Sequence, residues 1–170
     1  MIPHPGSLDT HGSEGLVPLV ILEVIGRRVA LVAEAVIEVL PIVWVSPLPK
    51  APPVVEGVID FRGKVVPVLD LRARFGRPSS PPVLNEHLVV VKVAGRKLAL
   101  HVDRAVGLET VPAEDIDSAA LPEVDYAAGV ARLANDLLLV HDLGAFLWAD
   151  EGLALDAALA ESGRPLSKAQ

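Results

Sequence analysis

The sequence contains no cysteine among its 170 residues. That excludes a disulfide framework, a thiolate nucleophile and a cysteine-built zinc site, and it fits a reducing compartment. Positive charge is short as well. Lysine and arginine total 15 against 22 acidic residues, for a net charge of −7. Free nucleic-acid binders owe much of their affinity to neutralising phosphates and usually carry a basic balance, so the acidic balance argues against that class, and against an anionic membrane surface too. No apolar run approaches the roughly 20 residues of a membrane helix. Residues 1–15, with Pro3, His4, Pro5, Gly6, His11 and Gly12, have neither a basic start nor an apolar stretch. They read as a flexible tail, not a signal peptide, and the protein is expected to be cytoplasmic.

Catalytic patterns are missing too. No histidines pair at i,i+3 or i,i+4, and no Gly-x-Ser-x-Gly, Gly-x-Gly-x-x-Gly or phosphate loop occurs. The serines fall in loops or tails. The carboxylates, including Glu34, Glu38, Asp60 and Asp70, form no dense cluster along the chain. His101, beside Asp103, and His141, ahead of Asp142, read as hydrogen-bonded structural histidines. An enzyme is therefore not expected, nor a cofactor or metal.

Aromatic residues make up only 4% of the chain, yet hydrophobic residues make up 51%, mostly valine, isoleucine and leucine. β-Branched side chains are stiff and suit a pleated surface, so the composition points to sheets. The arrangement is doubled. Val24-Ile25-Gly26-Arg27-Arg28-Val29-Ala30-Leu31 matches Val93-Ala94-Gly95-Arg96-Lys97-Leu98-Ala99-Leu100. Each is an apolar run, a glycine turn with basic residues, and a second apolar run, which is a hairpin signature. A second pair of hairpins runs from Gly57 to Leu71 and from Gly129 to Leu143, turning at Arg62-Gly63-Lys64 and at Asn135-Asp136.

Two copies about seventy residues apart are too few and too long for a solenoid or propeller. The reading is two similar β subdomains, about 16–76 and 86–149, of some five short strands each. Short strands leave open edges unless each sheet closes on itself, so two packed barrels are expected. Arg77-Pro78-Ser79-Ser80-Pro81-Pro82 reads as the connector. Asp70 and Asp142 each precede a short helical pattern and read as N-caps, worth about 1 kcal/mol each. Asp150 to Glu161 reads as a helix with Leu155, Ala158 and Leu159 on one stripe, ended by Gly163 and Pro165, with a disordered tail over 163–170.

Two surface features remain open. Arg62, Lys64, Arg72, Arg74 and Arg77 are either solvated charges or a basic face for an acidic partner. Of these, Arg62 stands at a hairpin tip from which a rigid guanidinium can project. Pro41-Ile42-Val43-Trp44-Val45 and Pro53-Val54-Val55 are either core or an exposed apolar patch of the kind that marks a protein–protein surface.

Gly57-Val58-Ile59-Asp60-Phe61-Arg62-Gly63-Lys64-Val65-Val66-Pro67-Val68-Leu69-Asp70-Leu71-Arg72-Ala73-Arg74-Phe75-Gly76 closely resembles the signature of CheW-like domains. Ala99 to Gly107, Tyr126 to Val130 and Val140 to Leu143 follow in the order that family shows. The resemblance covers about 16–149, and it implies two five-stranded SH3-like barrels and a non-catalytic coupling protein of a chemosensory array. The partners it implies are the regulatory domain of a CheA-type histidine kinase, the cytoplasmic tip of a chemoreceptor, and other CheW-like proteins of the array ring. By position, Val36, Glu38, Gly57, Arg62, His87 and Leu88 match the receptor-binding region. Val43, Trp44, Val54, Val55 and Phe61 form the apolar patch expected to meet the kinase. The chain departs from the family pattern at Asp60, where Asn is usual, at Ala99, where Gly is common, and at His87, where an apolar residue is frequent. The rival reading is a small-molecule-binding or regulatory β domain outside chemosensing, which would need a dry pocket with convergent polar groups.

Overall fold

The computed structural model describes residues 15–77, 81, 83–118 and 127–163. Residues 1–14 of the expected N-terminal tail, most of the connector, Tyr126 and residues 164–170 lie outside that set.

The strands are β1 (Leu16–Val24), β2 (Arg27–Val32), β3 (Val36–Pro41), β4 (Val55–Phe61), β5 (Lys64–Asp70), β6 (His87–Val93), β7 (Arg96–Val102), β8 (Arg104–Pro112), β9 (Ile116–Asp117), β10 (Ala127–Leu133) and β11 (Asp136–His141). The helices are α1 (Leu71–Arg74) and α2 (Ala149–Glu161). Three hairpin tips have positive φ at both loop residues: Ile25-Gly26, Arg62-Gly63 and Ala94-Gly95. That is the turn whose twist matches paired strands. The fourth tip is Ala134-Asn135, one residue earlier than the sequence suggests, because Asp136 already pairs with Leu133 in β11.

The fold is mainly β, in two sheets. Their orders are β8-β1-β2-β11-β10-β9 and β3-β6-β7-β5-β4. This corrects the subdomain boundaries read from the repeat. Each sheet takes the first hairpin of one half and the second hairpin of the other, joined by short parallel pairings of β2 with β11 and of β5 with β7. Sequential hairpins supply local contacts, but a two-stranded hairpin alone is marginal, and the exchange buries each one against a partner from the other half.

Both sheets curl toward closure. In the first, β8 runs through a 3-10 turn (Ala113–Asp115) into β9, so one bent strand pairs with β1 at one end and β10 at the other. In the second, the chain leaving β3 bridges back to β4 through Ser46 and Val58, which exchange backbone hydrogen bonds of 2.8 and 2.9 Å. Gly57 stands against that crossing. A Cβ there would lie 2.1 Å from the Ser46 carbonyl oxygen, at a φ of +158°, so only glycine fits the closure.

Strand alternation distributes the apolar residues among three cores. In β1, Val17, Leu19 and Ile21 fill the first barrel with Ala30, Val111, Ala131, Leu138 and Val140. Their neighbours Val20, Leu22 and Val24 face a core shared by both sheets. In β6, Leu88 and Val90 fill the second barrel with Ile59, Phe61, Val66, Val68 and Ala99, and Val89 and Val91 face the shared core. Strands buried on both faces read as continuous apolar runs. Helix α2 caps the shared core with Leu155, Ala158 and Leu159, the stripe expected from sequence. Ion pairs Arg74–Glu151 and Arg96–Asp156 fasten it to α1 and to β7.

Candidate functional site

The seam between β3 and β4 gathers the residues of interest. Strand β3 alternates half-buried and exposed positions. Its outward side chains are Ile37, Val39 and Pro41, where a solvated strand would carry polar residues. Ile37 is the extra residue of a β-bulge, since Val36 pairs with Val91 and Glu38 with Val90. Beyond β3 the strap Ile42–Ser46 continues the apolar surface. Val43 is 43% exposed and Trp44 82%, while Ile42 and Val45 pack down on the second barrel's interior. The open choice for this stretch is thus divided: its tip is a surface, its flanks are core.

Arg62 crosses the same seam. It occupies the β4–β5 tip at φ 53°, lies over the Phe61 ring at 4.8 Å, and donates to the Glu38 carboxylate on β3. Asp60 braces the tip by accepting from the Gly63 N–H at 2.8 Å. Val36 and His87 stand near the two ends of the β3–β6 pairing, His87 opposite Pro41. The His87 Nδ1 accepts from the Ala105 N–H at 3.4 Å.

The other expected contact residues are interior. Leu88 is fully buried and Phe61 is 5% exposed, both inside the second barrel. Val54 and Val55 belong to the shared core, and Gly57 is buried under Ser46. These five shape the surface from below and do not lie on it, because closing a barrel turns half of each strand inward.

The basic segment divides as well. Arg74 is buried against Glu151 and stacks on Trp148, 4.4 Å from ring centroid to guanidinium carbon. Arg72 is interior. Its guanidinium donates to Asp70 at 3.1 Å and Glu86 at 2.6 Å and lies 3.6 Å from Glu56. Neither contributes to a basic face. Asp70 also caps α1 by accepting from the Arg72 and Ala73 N–H groups, and Asp142 accepts from Gly144 N–H, as expected of both aspartates.

The carboxylates that look scattered in sequence therefore converge in space. Around Arg72 stand Glu56, Asp70, Glu86 and the fully buried His101. Glu56, Asp70 and His101 bring donor atoms within 4.8 Å of one another, but the Arg72 guanidinium already stands among them as a counter-charge. His101 has its Nδ1 2.7 Å from Glu56 and its Nε2 2.7 Å from Glu86. A neutral imidazole has one N–H and satisfies only one ionised carboxylate, whereas the imidazolium donates to both. Burial works against that charge, and so does the Arg72 guanidinium, but hydrogen bonding to Glu56 and Glu86 and attraction from Glu56 outweigh both, and the His101 pKa is raised. His141 is the opposite case. It is stacked on Phe146 and edge-on to Phe75. Burial lowers its pKa, and the bond to the Leu139 carbonyl only partly offsets this.

The two histidines give stability opposite slopes in pH. The folded chain keeps the His101 proton where the unfolded chain has lost it. That contribution is complete below about pH 6.5 and disappears as pH rises through the raised folded value. His141 is neutral in the folded chain where the unfolded chain is protonated. Its contribution is complete above about 6.5 and is lost as pH falls toward the lowered folded value. The expected result is a maximum of unfolding free energy near the ordinary imidazole pKa. In urea melts across pH, His101→Gln flattens the alkaline limb, and His141→Phe reduces the loss just below the maximum. Limbs unchanged in both variants would show that neither ring is linked to folding.

Comparison with known proteins agrees with this architecture. The family model described as CheW-like domain matches residues 18–151. The chain is 32% identical over 110 residues to a chemotaxis protein CheW of Rhizobium meliloti, covering 62% of this chain and 71% of that one. It is 36% identical over 90 residues to protein FrzA of Myxococcus xanthus, covering 52% and 56%. Among solved structures, the scaffolding protein TtCheW of Thermoanaerobacter tengcongensis superposes with a TM-score of 0.72 at 22% identity, covering 79% of this chain and 94% of that one.

Proposed function

The chain belongs to the CheW-like domain family, and from that premise we propose that it is a non-catalytic coupling scaffold of a bacterial chemosensory array. It joins the cytoplasmic tips of chemoreceptors to the regulatory domain of a CheA-type histidine kinase. The observation that carries this reading is the β3–β4 seam, where an exposed apolar strap and a hairpin-tip arginine stand on one closed barrel. The Val43–Trp44 strap with the outward row of β3 offers an apolar centre for the kinase domain, the usual heart of a specific interface. Val36, Glu38, Arg62 and His87 offer a mixed surface for a receptor helix hairpin. Phe61, Val54, Val55, Gly57 and Leu88 hold both surfaces in shape. Other CheW-like proteins of the array ring are partners of the same class. No helix among the described residues is long and apolar enough to cross a membrane, and the membrane is reached through the receptors. Motility, surface sensing and second-messenger control would all use this scaffold.

Arg62 suits its role energetically. Its pair with Glu38 is exposed, with side-chain accessibilities of 68% and 36%, and such pairs are worth about 0–1 kcal/mol. A receptor carboxylate can take over the guanidinium fork at little cost to the fold. A charge-assisted hydrogen bond contributes about 1.5–3 kcal/mol. Titration with a receptor cytoplasmic fragment at low salt is therefore expected to show Arg62→Ala binding at least about tenfold weaker. Its unfolding midpoint and its affinity for the kinase domain stay unchanged. Full retention of receptor affinity would remove Arg62 from that surface.

A further inference from the structure

The strap that carries Trp44 bonds at one end to a residue of the buried ion cluster and at the other beside the β-bulge that carries a second. At its start, the Ile42 N–H donates to the Glu86 carbonyl at 3.1 Å. The Glu86 side chain is fully committed beneath it. It accepts from Arg72 at 2.6 Å, from the Val83 N–H at 2.9 Å, and from the His101 ring at 2.7 Å. At its end, Ser46 exchanges two hydrogen bonds with Val58 and is pressed against Gly57. Gly57 directly follows Glu56, the extra residue of a β-bulge, because Val55 pairs with Leu69 and Gly57 with Val68. Glu56 bonds the other nitrogen of His101 at 2.7 Å. The contacts thus close a circuit: strap, Glu86, His101, Glu56, the bulge, Val58, and the strap again.

We propose that His101, with Glu56 and Glu86, is the positioning element of the docking strap, fixing Ile42–Ser46 against both edges of the barrel seam. The inference rests on the strap being a docking surface, and it adds how that surface is ordered before a partner arrives. With no regular strand pairing along Val43–Val45, the strap's backbone is fixed by hydrogen bonds at its two ends, while Ile42 and Val45 pack on the barrel interior. Pre-ordering removes an entropic cost from binding. Breaking the circuit at His101 releases Glu56 first, since Glu56 is the half-buried member, and the bulge under Ser46 loses its anchor.

Residue-resolved amide hydrogen exchange on the free chain tests this directly. In Glu56→Gln and in His101→Gln, the Ile42, Ser46 and Val58 amides are expected to exchange at least about tenfold faster relative to β1 amides such as Leu22, a local opening and not a global one. In the wild-type chain, the Ile42 and Ser46 amide resonances should also follow the titration of the His101 ring. The charged groups facing that ring are Glu56 on β4, Glu86 before β6, Arg72 on α1 and Asp70 at the end of β5. A role confined to global stability would move neither the exchange ratio nor those two resonances, and either unchanged ratio or unmoved resonances would overturn the proposal. If His101→Gln fails to fold, Glu56→Gln carries the exchange test. Because exchange is read without a partner, a failed kinase titration would overturn the docking surface and leave this result intact.

Discussion

Replacing Arg72 with methionine is expected to cost about 3–5 kcal/mol of folding free energy, the penalty for removing one partner from a buried ion cluster. The side chain is 4% exposed, and those of Asp70 and Glu86 are 2% and 7%. Methionine keeps much of the volume, so packing loss is small and the charge is what goes. Asp70, Glu86 and Glu56 are then left with His101 as the facing cation, in a place water reaches poorly. Each must take up a proton, draw in water or force the site open. Arg72→Lys should recover only part of the loss. An ammonium is a compact charge without a planar fork, and it cannot span three carboxylates at once. The measurement is urea unfolding with the slope monitored, since a shifted midpoint at constant slope reports stability alone. A change within about 0.5 kcal/mol, as at an ordinary surface site, would show the cluster to be electrostatically idle. Arg62→Ala is the control, because its pair is exposed and should barely move the same curve.

The elements of the fold were legible because they are local. Three of the four hairpins turn where the glycine dipeptides stand, both aspartates cap as read, and α2 buries the stripe its spacing shows. The pairing between hairpins was not legible. β2 meets β11 and β5 meets β7 over two or three residues, and parallel contacts that short leave no pattern in either strand. The cluster escaped for a related reason. Glu56 and His101 are 45 positions apart, and only the finished barrel brings Glu56 and Glu86 together on the His101 ring. Some of the interior residues did carry a signal. Leu88-Val89-Val90-Val91 is apolar without alternation, the mark of a strand buried on both faces, so Leu88 could have been assigned to the core. Trp44 carried the converse signal. It stands between Pro41 and Pro47, which cannot donate to a ladder and disfavour a continuous strand there.

Trp44→Asp is expected to weaken binding to the regulatory domain of the cognate kinase by about thirtyfold or more, or at least about 2 kcal/mol, and to leave the unfolding curve in place. Tryptophan is the residue type most often found at the energetic centre of an interface, and at 82% exposure it contributes little to the folded monomer. An exposed indole next in the chain to the exposed Val43 gains chiefly by leaving water, so the lost affinity should depend weakly on salt. Arg62→Ala should behave in the opposite way, on the other partner and with strong salt dependence. Phe61→Ala separates surface from support. Its ring is inside the barrel, so it should lose about 3–5 kcal/mol of stability and weaken both contacts together. Trp44→Asp with full kinase affinity and an unmoved melt would place the kinase surface elsewhere. A coupling scaffold needs this separation: two partners must bind and leave independently while the body between them stays rigid. In this chain the charges that resist deformation are buried around Arg72 and His101, and the residues proposed for partner contact, Trp44 and Arg62, are exposed ones whose removal the fold should scarcely register.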